Sequence, residues 1–486
     1  MVPDLSVDLC ARLRDAFLTA GYTADGVVGV LGARAHAALG RGEPEPARRA
    51  SRDAGALGTL IRLFLLGDAE PPDAVEAALG SVGLDEAVAA SVLTPQGRAG
   101  LDIRPYEDNW WVVADLDSDL RGGEVPADHV LGVGHASISL ARATARRPVG
   151  TLLDLGTGCG VQALHASTHA ESITATDVSA RALALARATF RLNELDVELL
   201  RGEWFAPVAG RRFDQVVCNP PFVVGPARVD YTYRDSGVDG DGASAMIVRG
   251  LPALLAEGGV GQLLASWVHR VGEDWADRVR SWLPAGVDAW FVQRDVVDPA
   301  LYVGTWLRDA GIDPRSPQGR AKANAWLDWF AAGGIEGVGF GYVTLRRTDA
   351  ADTEVVCEDL RHAYDDPLGP EAARWLDNVA WLRDHEKDLL QTRFVVPSTV
   401  VLEEVSSSGD EGWAPVVRRL HRMDGPGWQH EIDEPTAKLL AGCRGAMALE
   451  DLLALLSYAY GEVDVDTALP IVRDLVRHGM LVPASM

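Results

Sequence analysis

The sequence predicts an α/β fold, with a mainly parallel β-sheet flanked by two accessory domains. Between residues 151 and 292, short apolar runs alternate with amphipathic helical segments. Two of those runs end in unusual turns, Gly156–Gly160 and Asn219–Phe222. The chain has 486 residues, which is too long for one compact core, since domains of about 100–200 residues are usual. Together these observations predict a central sheet domain within a larger chain.

Composition is typical of a folded, soluble protein. Hydrophobic residues make up 47% and charged residues 24%, as in ordinary globular proteins. The net charge of -25 and the pI near 4.8 oppose general attraction to a polyanion, so any nucleic-acid contact has to rest on a local basic patch. No long apolar run or secretory leader is evident. The five cysteines lack paired spacing, which predicts reduced thiols and a cytoplasmic protein.

Residues 1–125 are predicted to form a mainly helical accessory domain. Apolar residues recur at three- and four-residue spacing from Leu5 to about Ala90. Gly100–Tyr106 and Asn109–Asp115 follow, and their period-two pattern predicts a hairpin. Short helices before a hairpin suggest a winged-helix-like module that presents substrate, with a structural cap as the alternative.

The segment Asp128–Ser137 leads into an amphipathic helix that is predicted to run to about Ala145, just before the first strand of the central domain. Its glycines at 132 and 134 permit close approach of the backbone to a ligand. His135 is a candidate ligand contact, although a lone histidine is more often structural.

The first decisive turn follows a buried strand, Thr151–Leu155. The pattern of Gly156–Gly160 is Gly-x-Gly-x-Gly, which lets the backbone turn tightly and approach a ligand, but differs from the dinucleotide-binding Gly-x-Gly-x-x-Gly. A second strand ends at Asp177, about twenty residues further on, where a ribose diol would lie. A third ends at Glu203 and Trp204, which could meet an adenine by a hydrogen bond and by packing.

The second decisive turn, Asn219–Phe222, follows the strand Phe213–Cys218. Its two prolines fix their own φ near about -65° and hold Asn219 extended, so that its amide is aimed. The carbonyls of Asn219 and Pro220, beside the flat face of Phe222, suit a planar group that carries an NH2. Such groups are the amino group of adenine or guanine and a side-chain amide. Because parallel strands end at one edge of a sheet, both turns are expected on the same rim.

Together, Asp154–Gly160 and Asn219–Phe222 resemble motifs of the class I S-adenosylmethionine-dependent methyltransferases. The resemblance is to the branch with an (Asn/Asp)-Pro-Pro-(Tyr/Phe) motif, which includes the HemK-type glutamine methyltransferases and the ribosomal-RNA guanine N2 methyltransferases. It covers about residues 128–347 and implies a Rossmann-like core with a mostly parallel seven-stranded sheet. The catalytic domain is accordingly predicted at residues 126–347.

The resemblance also implies how the cofactor is held. Asp154, Gly156 and Gly158 would line the methionine part of S-adenosylmethionine. Asp177 would take the ribose hydroxyls, and the dipeptide Glu203-Trp204 would border the adenine. The residues predicted to bind the cofactor are, in full, His135, Asp154, Gly156, Thr157, Gly158, Gly160, Asp177, Val178, Glu203, Trp204 and Asn219. No metal site is predicted.

The catalytic motif implied by the resemblance is Asn219, Pro220, Pro221 and Phe222, which would hold the nitrogen to be methylated. The polar segment at 226–242 that follows is a candidate substrate loop or lid, or else a long solvated loop. Helical insertions are predicted at residues 299–332. Their basic residues precede aromatic ones, which marks a candidate nucleic-acid contact or, alternatively, solvated helix faces: Arg315, Arg320, Lys322, Trp326 and Phe330.

Residues 348–486 are predicted to be a C-terminal α+β accessory domain. The pattern predicts short strands near Phe394 and Val400, a flexible loop at Ser406–Asp410, and a final winged-helix-like unit from Pro435 to about Val482. No second glycine turn occurs in either flanking part.

The sequence therefore predicts an enzyme that transfers a methyl group to an sp2 amino or amide nitrogen. A base in RNA is the favoured acceptor, and a protein glutamine, a small molecule and a cofactor-binding regulator without transfer activity are left open. The net charge of -25 argues against RNA, whereas Phe rather than Tyr at 222 resembles the RNA-modifying relatives. No membrane partner is predicted, and the oligomeric state is left open.

Overall fold

The computed structural model describes residues 3–107, 110–116, 126–227, 234–364, 366–410, 412–461 and 464–484. The chain forms two compact units: Met1–Ala141 with Pro148–Glu358, and Arg142–Arg147 with Asp359–Met486. The division into three domains with boundaries after residues 125 and 347 stays a prediction. The boundary after residue 125 falls inside the first compact unit.

The first unit is organised around one large mixed sheet. Its strands are β3 (Val149–Leu155), β4 (Ala170–Asp177), β5 (Glu198–Arg201), β6 (Phe213–Cys218), β7 (Leu255–Arg270), β8 (Val287–Val297), β9 (Ile335–Arg347) and β10 (Val355–Asp359). Their spatial order is β10-β8-β9-β7-β6-β3-β4-β5. Strands β3 to β7 pair in parallel, and β9 is antiparallel to both β7 and β8.

The sheet has eight strands, where seven were predicted. The additional strand is β10, which lies at the edge beside β8. It lies beyond residue 347, where the sequence predicts the end of the catalytic domain, and Ala289 N donates to Glu354 O at 2.8 Å beside it. Edge strands tolerate charged residues, and Glu358 and Asp359 interrupt the alternation of apolar residues from which a strand is predicted.

One helix precedes β3, and others lie between strands of the sheet. They are α7 (His135–Ala143), α8 (Val161–Ala166), α9 (Ala180–Leu192), α10 (Gly242–Gly250) and α11 (Trp275–Arg280). Ser179 caps α9 by accepting a hydrogen bond from Ala182 N at 3.2 Å. The chain runs from β3 outward to β5 and then returns to β6 on the other side of β3. A crevice at the carboxyl ends of β3 and β6 is expected at this reversal of direction.

A helical insertion separates β8 from β9, as predicted. It consists of α12 (Pro299–Asp309) and α13 (Pro317–Ala332), each started by a capping side chain, Asp298 and Ser316. Adjacent antiparallel strands need only a short turn between them. The insertion is therefore an addition to the sheet and not a requirement of its topology.

The N-terminal part of this unit consists of short helices and a hairpin, as predicted. The elements are α1 (Val7–Ala20), α2 (Ala24–Gly40), α3 (Glu45–Ala50), α4 (Gly55–Leu60), α5 (Pro72–Leu79), α6 (Leu84–Ala89), β1 (Asp102–Tyr106) and β2 (Trp110–Ala114). The hairpin packs on α9: Val113 N donates to Thr189 Oγ1 at 3.0 Å, and Trp111 N donates to Asn193 Oδ1 at 2.9 Å. One continuous core includes Phe17, Trp111 and Leu185, so this part and the sheet are not packed separately.

The second unit is an α+β module. It contains α14 (Gly369–Asp384), β11 (Arg393–Val395), β12 (Val400–Gly409), β13 (Gly412–Arg422), β14 (Gln429–Glu431), α15 (Glu434–Gly442), β15 (Arg444–Ala448), α16 (Leu449–Tyr460), α17 (Val465–Arg477) and β16 (Val482–Pro483). Its sheets are β15-β11-β16 and β12-β13-β14. The flexible loop predicted at Ser406–Asp410 is wrong, because Ser406 to Gly409 pair with β13 as the end of a long hairpin.

Among the described residues, no single helix has the length and hydropathy needed to cross a membrane. The bent pair Val7–Ala20 and Ala24–Gly40 has sufficient length and hydropathy when its two helices are taken together. In the same part of the chain, no group of three His, Cys, Asp or Glu side chains is placed to hold a metal ion.

Candidate active site

A cavity of about 730 Å³ lies in the first unit at the carboxyl ends of the parallel strands. This volume is within the roughly 300–1,000 Å³ usual for small-molecule sites. Most of the predicted site residues line it, namely His135, Gly156, Thr157, Gly158, Asp177, Val178, Glu203, Trp204, Asn219, Pro220, Pro221 and Phe222. The two sequence motifs therefore meet at one site, as the strand-end argument predicted.

The glycine turn forms one wall of the cavity and needs its glycines for two different reasons. Gly156 and Gly158 have φ of 78° and 56°, and a Cβ at either position would meet no protein atom within 4 Å. Gly160 has φ of 93°, and a Cβ there would lie 2.7 Å from Cε1 of Phe190 on α9. The first two glycines thus leave space open at the cavity, while the third permits helix packing.

Asp154 lies beneath the turn. Its Oδ2 accepts hydrogen bonds from Thr157 Oγ1 at 2.7 Å and Ala163 N at 3.1 Å. Its Oδ1 has no hydrogen-bond partner among the described residues, and burial raises the pKa of Asp154 to about 7. Asp154 and Gly160 were predicted to bind cofactor, but neither lines the cavity. Their observed contacts instead fix the shape of the turn.

Asp177 lies at the end of β4 and joins the glycine turn to α9. Its Oδ2 accepts from Gly158 N at 3.0 Å, and its Oδ1 accepts from Ser179 N at 2.8 Å. Burial raises the pKa of Asp177, although backbone N–H groups partly offset the effect. A carboxylate has about four acceptor sites, so both oxygens keep capacity for hydroxyl groups of a ligand.

The wall next to Asp177 is formed by the turn that follows β5, since the strand ends at Arg201 and not at Glu203 and Trp204 as predicted. Gly202 N donates to Asp177 O at 3.1 Å, which holds the two strand ends together. Trp204 has φ of 47°, a left-handed conformation that is uncommon for a bulky residue and favours a functional role. Glu203 and Trp204 therefore border the cavity where an adenine was predicted.

His135 begins α7 and is exposed at the cavity mouth. The preceding chain is held in place by a buried carboxylate, Asp115, which accepts from Val130 N at 3.0 Å and from Arg181 Nε at 2.8 Å. Gln162 Nε2 also donates to Ser137 O at 2.8 Å. These contacts position the segment that carries His135 without involving its ring.

The Asn-Pro-Pro-Phe motif faces the same cavity from the end of β6. The Asn219 side chain has no hydrogen-bond partner within the described ranges. The far end of the motif is fixed, because Ser266 Oγ donates to Phe222 O at 2.6 Å and Phe222 packs edge-on against Phe340 at 6.2 Å between ring centroids. An aimed, unclaimed amide is thus presented beside an immobilised aromatic ring.

Two cavity residues, Trp306 and Asp309 on α12, were not anticipated. They lie three positions apart, and such residues share a helix face. That spacing was visible in the sequence, but not the fact that this face turns to the cavity. Arg234 and Asp235, from the predicted substrate loop, also line the cavity. Tyr231 and Tyr233 of that loop lie outside the described residues.

Comparison with known families divides the chain into three matched parts. Residues 132–234 match the methyltransferase small domain. Residues 19–104 match a domain of unknown function (DUF7059), and residues 373–483 match another (DUF7782). The methyltransferase match contains both of the motifs that carried the resemblance, and it confirms the recognition made from them.

Similar proteins include methyltransferases of two acceptor classes. The chain is 32% identical over 169 residues to the release factor glutamine methyltransferase of Bordetella pertussis. This aligned region spans 32% of this chain and 60% of that protein. The chain is also 33% identical over 120 residues to ribosomal RNA small subunit methyltransferase C of Cronobacter sakazakii. That aligned region spans 24% of this chain and 34% of the relative. The chain thus covers less than two thirds of the length of either relative.

Among solved structures, a methyltransferase from Pyrococcus furiosus covers 44% of this chain and 81% of its own, at 15% identity and a TM-score of 0.26. We draw no functional argument from so low a score. Together with the family match, the mainly parallel sheet confirms the prediction of a Rossmann-like class I methyltransferase fold.

Proposed function

We propose that the protein is an S-adenosylmethionine-dependent N-methyltransferase, on the premise that residues 132–234 match the methyltransferase small domain. The acceptor is an sp2 amino nitrogen, and a base in RNA is favoured. The observation that carries the proposal is the unclaimed Asn219 amide, which borders the same cavity as the open glycine turn and Asp177.

The residues present fit this cofactor. The space over Gly156 and Gly158, where a Cβ would meet nothing, admits the methionine part, and Asp177 has acceptor capacity for the ribose hydroxyls. Trp204 and Glu203 border the region left for the adenine. When bound, S-adenosylmethionine supplies an electrophilic methyl group on a sulfonium sulfur.

The protein's contribution to transfer is positioning and electrostatics. The lone pair of an amino nitrogen on a planar group is delocalised, so the nitrogen is a weak nucleophile. Hydrogen bonds from that amino group to the Asn219 side chain and the Pro220 carbonyl favour pyramidalisation and direct the lone pair. The nitrogen becomes more acidic as it is alkylated, so its proton can leave to water without a dedicated general base.

A base in RNA is favoured over a glutamine side chain by the aromatic groups at the acceptor end of the cavity. Phe222 and Trp306 both line it, and unstacked bases are commonly held against aromatic side chains. A glutamine has no flat ring to use two such surfaces. A cytoplasmic location is part of the proposal, since all five cysteines are free.

The test is transfer of a radiolabelled methyl group from S-adenosylmethionine into separated RNA and protein fractions of cells that lack the gene. We expect label in an RNA fraction with the wild-type protein and none with Asn219→Ala. Label only in protein would replace the RNA acceptor by the glutamine alternative. Cofactor binding without label in either fraction would instead support a small-molecule acceptor or the non-catalytic regulator.

A further inference from the structure

We propose that the basic end of the helical insertion α12–α13 binds the RNA backbone on either side of the target base. This basic end is defined by Arg308, Arg315 and Arg320. The inference rests on the proposed function and deepens it, because it assigns the surface that holds the substrate strand.

The insertion is attached directly to the chain that follows the acceptor motif. Val224 N donates to the buried Tyr302 hydroxyl of α12 at 2.5 Å. A Cβ on Gly225 would lie 2.7 Å from Trp326 Nε1 of α13, so the Trp326 ring lies against this backbone. Both helices therefore fix the position of the segment that begins at Phe222.

A buried arginine makes a second connection. Arg234 Nη1 donates to Trp306 O at 2.9 Å and to Asp309 Oδ2 at 3.1 Å, while its Nε lies 3.3 Å from Asp235 Oδ1. The guanidinium lies 5.7 Å from the Trp306 ring centroid. Because these groups hold Arg234 in place, its guanidinium is a fixed part of the cavity wall.

Three arginines lie at the end of the insertion where α12 is connected to α13. Arg308 is in the last turn of α12, Arg315 is in the connection, and Arg320 is in the first turn of α13. All three are exposed. In the part of the chain that the structure describes, no ion pair involves any of them. Many arginines of this chain, which carries a net charge of -25, pair with carboxylates.

The location of these arginines indicates a phosphate ligand. Arg308 directly precedes Asp309 and lies two residues after Trp306, both of which line the cavity. A base held at that wall would bring its own backbone to the adjacent helix end. Guanidinium groups bind phosphate oxygens in a bidentate manner. A local basic surface of this kind also resolves the conflict between an acidic protein and a polyanionic substrate.

The experiment compares two triple variants of the full-length protein. Arg308→Ala/Arg315→Ala/Arg320→Ala removes the basic end. Arg34→Ala/Arg49→Ala/Arg52→Ala removes the same charge from exposed arginines of the N-terminal part, two of them on helices and Arg52 in a turn. The probe is a fluorescein-labelled single-stranded RNA of mixed sequence, about twenty nucleotides long, whose binding is followed by fluorescence anisotropy from low to moderate salt.

The insertion variant should bind this RNA at least about tenfold more weakly, with a salt slope shallower by about 2, since each phosphate contact contributes about 0.7 on a single strand. The N-terminal variant should show a smaller loss of affinity and retain the slope. Cofactor affinity, measured by calorimetry, should be unchanged in both.

Equal slopes in the two variants would overturn the assignment of the surface while leaving the methyltransferase proposal intact. Failure of the wild-type protein to bind the RNA at low salt would also overturn it. Failure of the wild-type protein to bind cofactor would instead contradict the proposed function, so the two failures are distinguishable.

Discussion

Asp177 and Asn219 border one cavity but face different ligands in the proposed site. Asp177→Ala removes acceptors for the ribose, so cofactor affinity should fall about ten- to a hundredfold, as expected for about 1.5–3 kcal/mol. Asn219→Ala removes an acceptor for the substrate amino group, so cofactor affinity should stay near normal while transfer falls about a hundredfold or more. Calorimetry and methyl transfer measure the two effects separately.

Each variant serves as the control for the other. If Asn219→Ala lowered cofactor affinity as much as Asp177→Ala did, Asn219 would have been assigned to the wrong ligand. If Asp177→Ala kept wild-type affinity, the ribose assignment would fail.

Asp154 should make stability depend on pH. Burial raises its pKa from 3.8 to about 7, so between these values the folded state retains a proton that the unfolded chain has released. The contribution of Asp154 to the free energy of unfolding is therefore fully present below the lower value. It falls as pH rises through this window and is constant above it.

Asp154→Asn removes this titration, and its amide can place an oxygen where Oδ2 accepts and a nitrogen where Oδ1 has no partner. The melting temperature of the variant relative to the wild type should rise from about pH 4.5 to about pH 7.5. Asp384→Asn, at an exposed position, is the control for the same change of side chain. A constant difference for Asp154→Asn would mean that the carboxyl does not titrate in this range.

Within the glycine turn, alanine at Gly158 and alanine at Gly160 are expected to have different effects. Alanine at Gly158 or Gly160 has to adopt a left-handed conformation, at a cost of about 1–2 kcal/mol. In Gly160→Ala the new Cβ also collides with Phe190, whereas in Gly158→Ala it enters the cavity. Gly160→Ala should therefore lower the melting temperature more, and Gly158→Ala should lower cofactor affinity more.

Thermal unfolding without cofactor and calorimetry with it separate these effects, since the two variants add the same methyl group to the same turn. Loss of cofactor affinity in Gly160→Ala at a temperature where that variant is folded, with normal binding by Gly158→Ala, would reverse the assignment of the two glycines.

At the scale of the whole molecule, the boundaries of the compact units decide which truncations should fold. The sequence predicts a catalytic domain at residues 126–347. However, Phe17 and Trp111 belong to the same hydrophobic core as Leu164 and Leu185 of the sheet's helices. Removing residues 1–127 would expose that apolar surface to water. Residues 1–358 hold the whole first unit together with the short segment Arg142–Arg147 of the second. This truncation should therefore keep cofactor affinity within about threefold of the full chain, a change below about 1 kcal/mol.

Residues 128–358 should aggregate or lose binding, because the exposed helix surface is no longer buried. Size-exclusion chromatography and calorimetry on the two truncations test this. A monomeric, cofactor-binding 128–358 fragment would show that the N-terminal part is dispensable for the fold, as the original three-domain division implies.

The sequence by itself determined the central sheet, the rim on which the two motifs meet and the methyltransferase resemblance. It could do so because these features are local: glycine and proline restrict φ within a few residues, and apolar periodicity marks each strand and helix. Parallel strands then bring their carboxyl ends to one edge. For the same reason, Asp177, Trp204 and Asn219 could be placed at the site without coordinates.

Only the tertiary structure decided which side chains reach the cavity and where the compact units end. Asp154 and Gly160 lie within the motif, yet neither lines the cavity: Asp154 accepts a hydrogen bond from Ala163 N, and Gly160 leaves room for Phe190. Trp306 and Asp309 reach it from an insertion far along the chain. The orientation of a helix face is set by packing between segments distant in sequence, and no local pattern of residues encodes it.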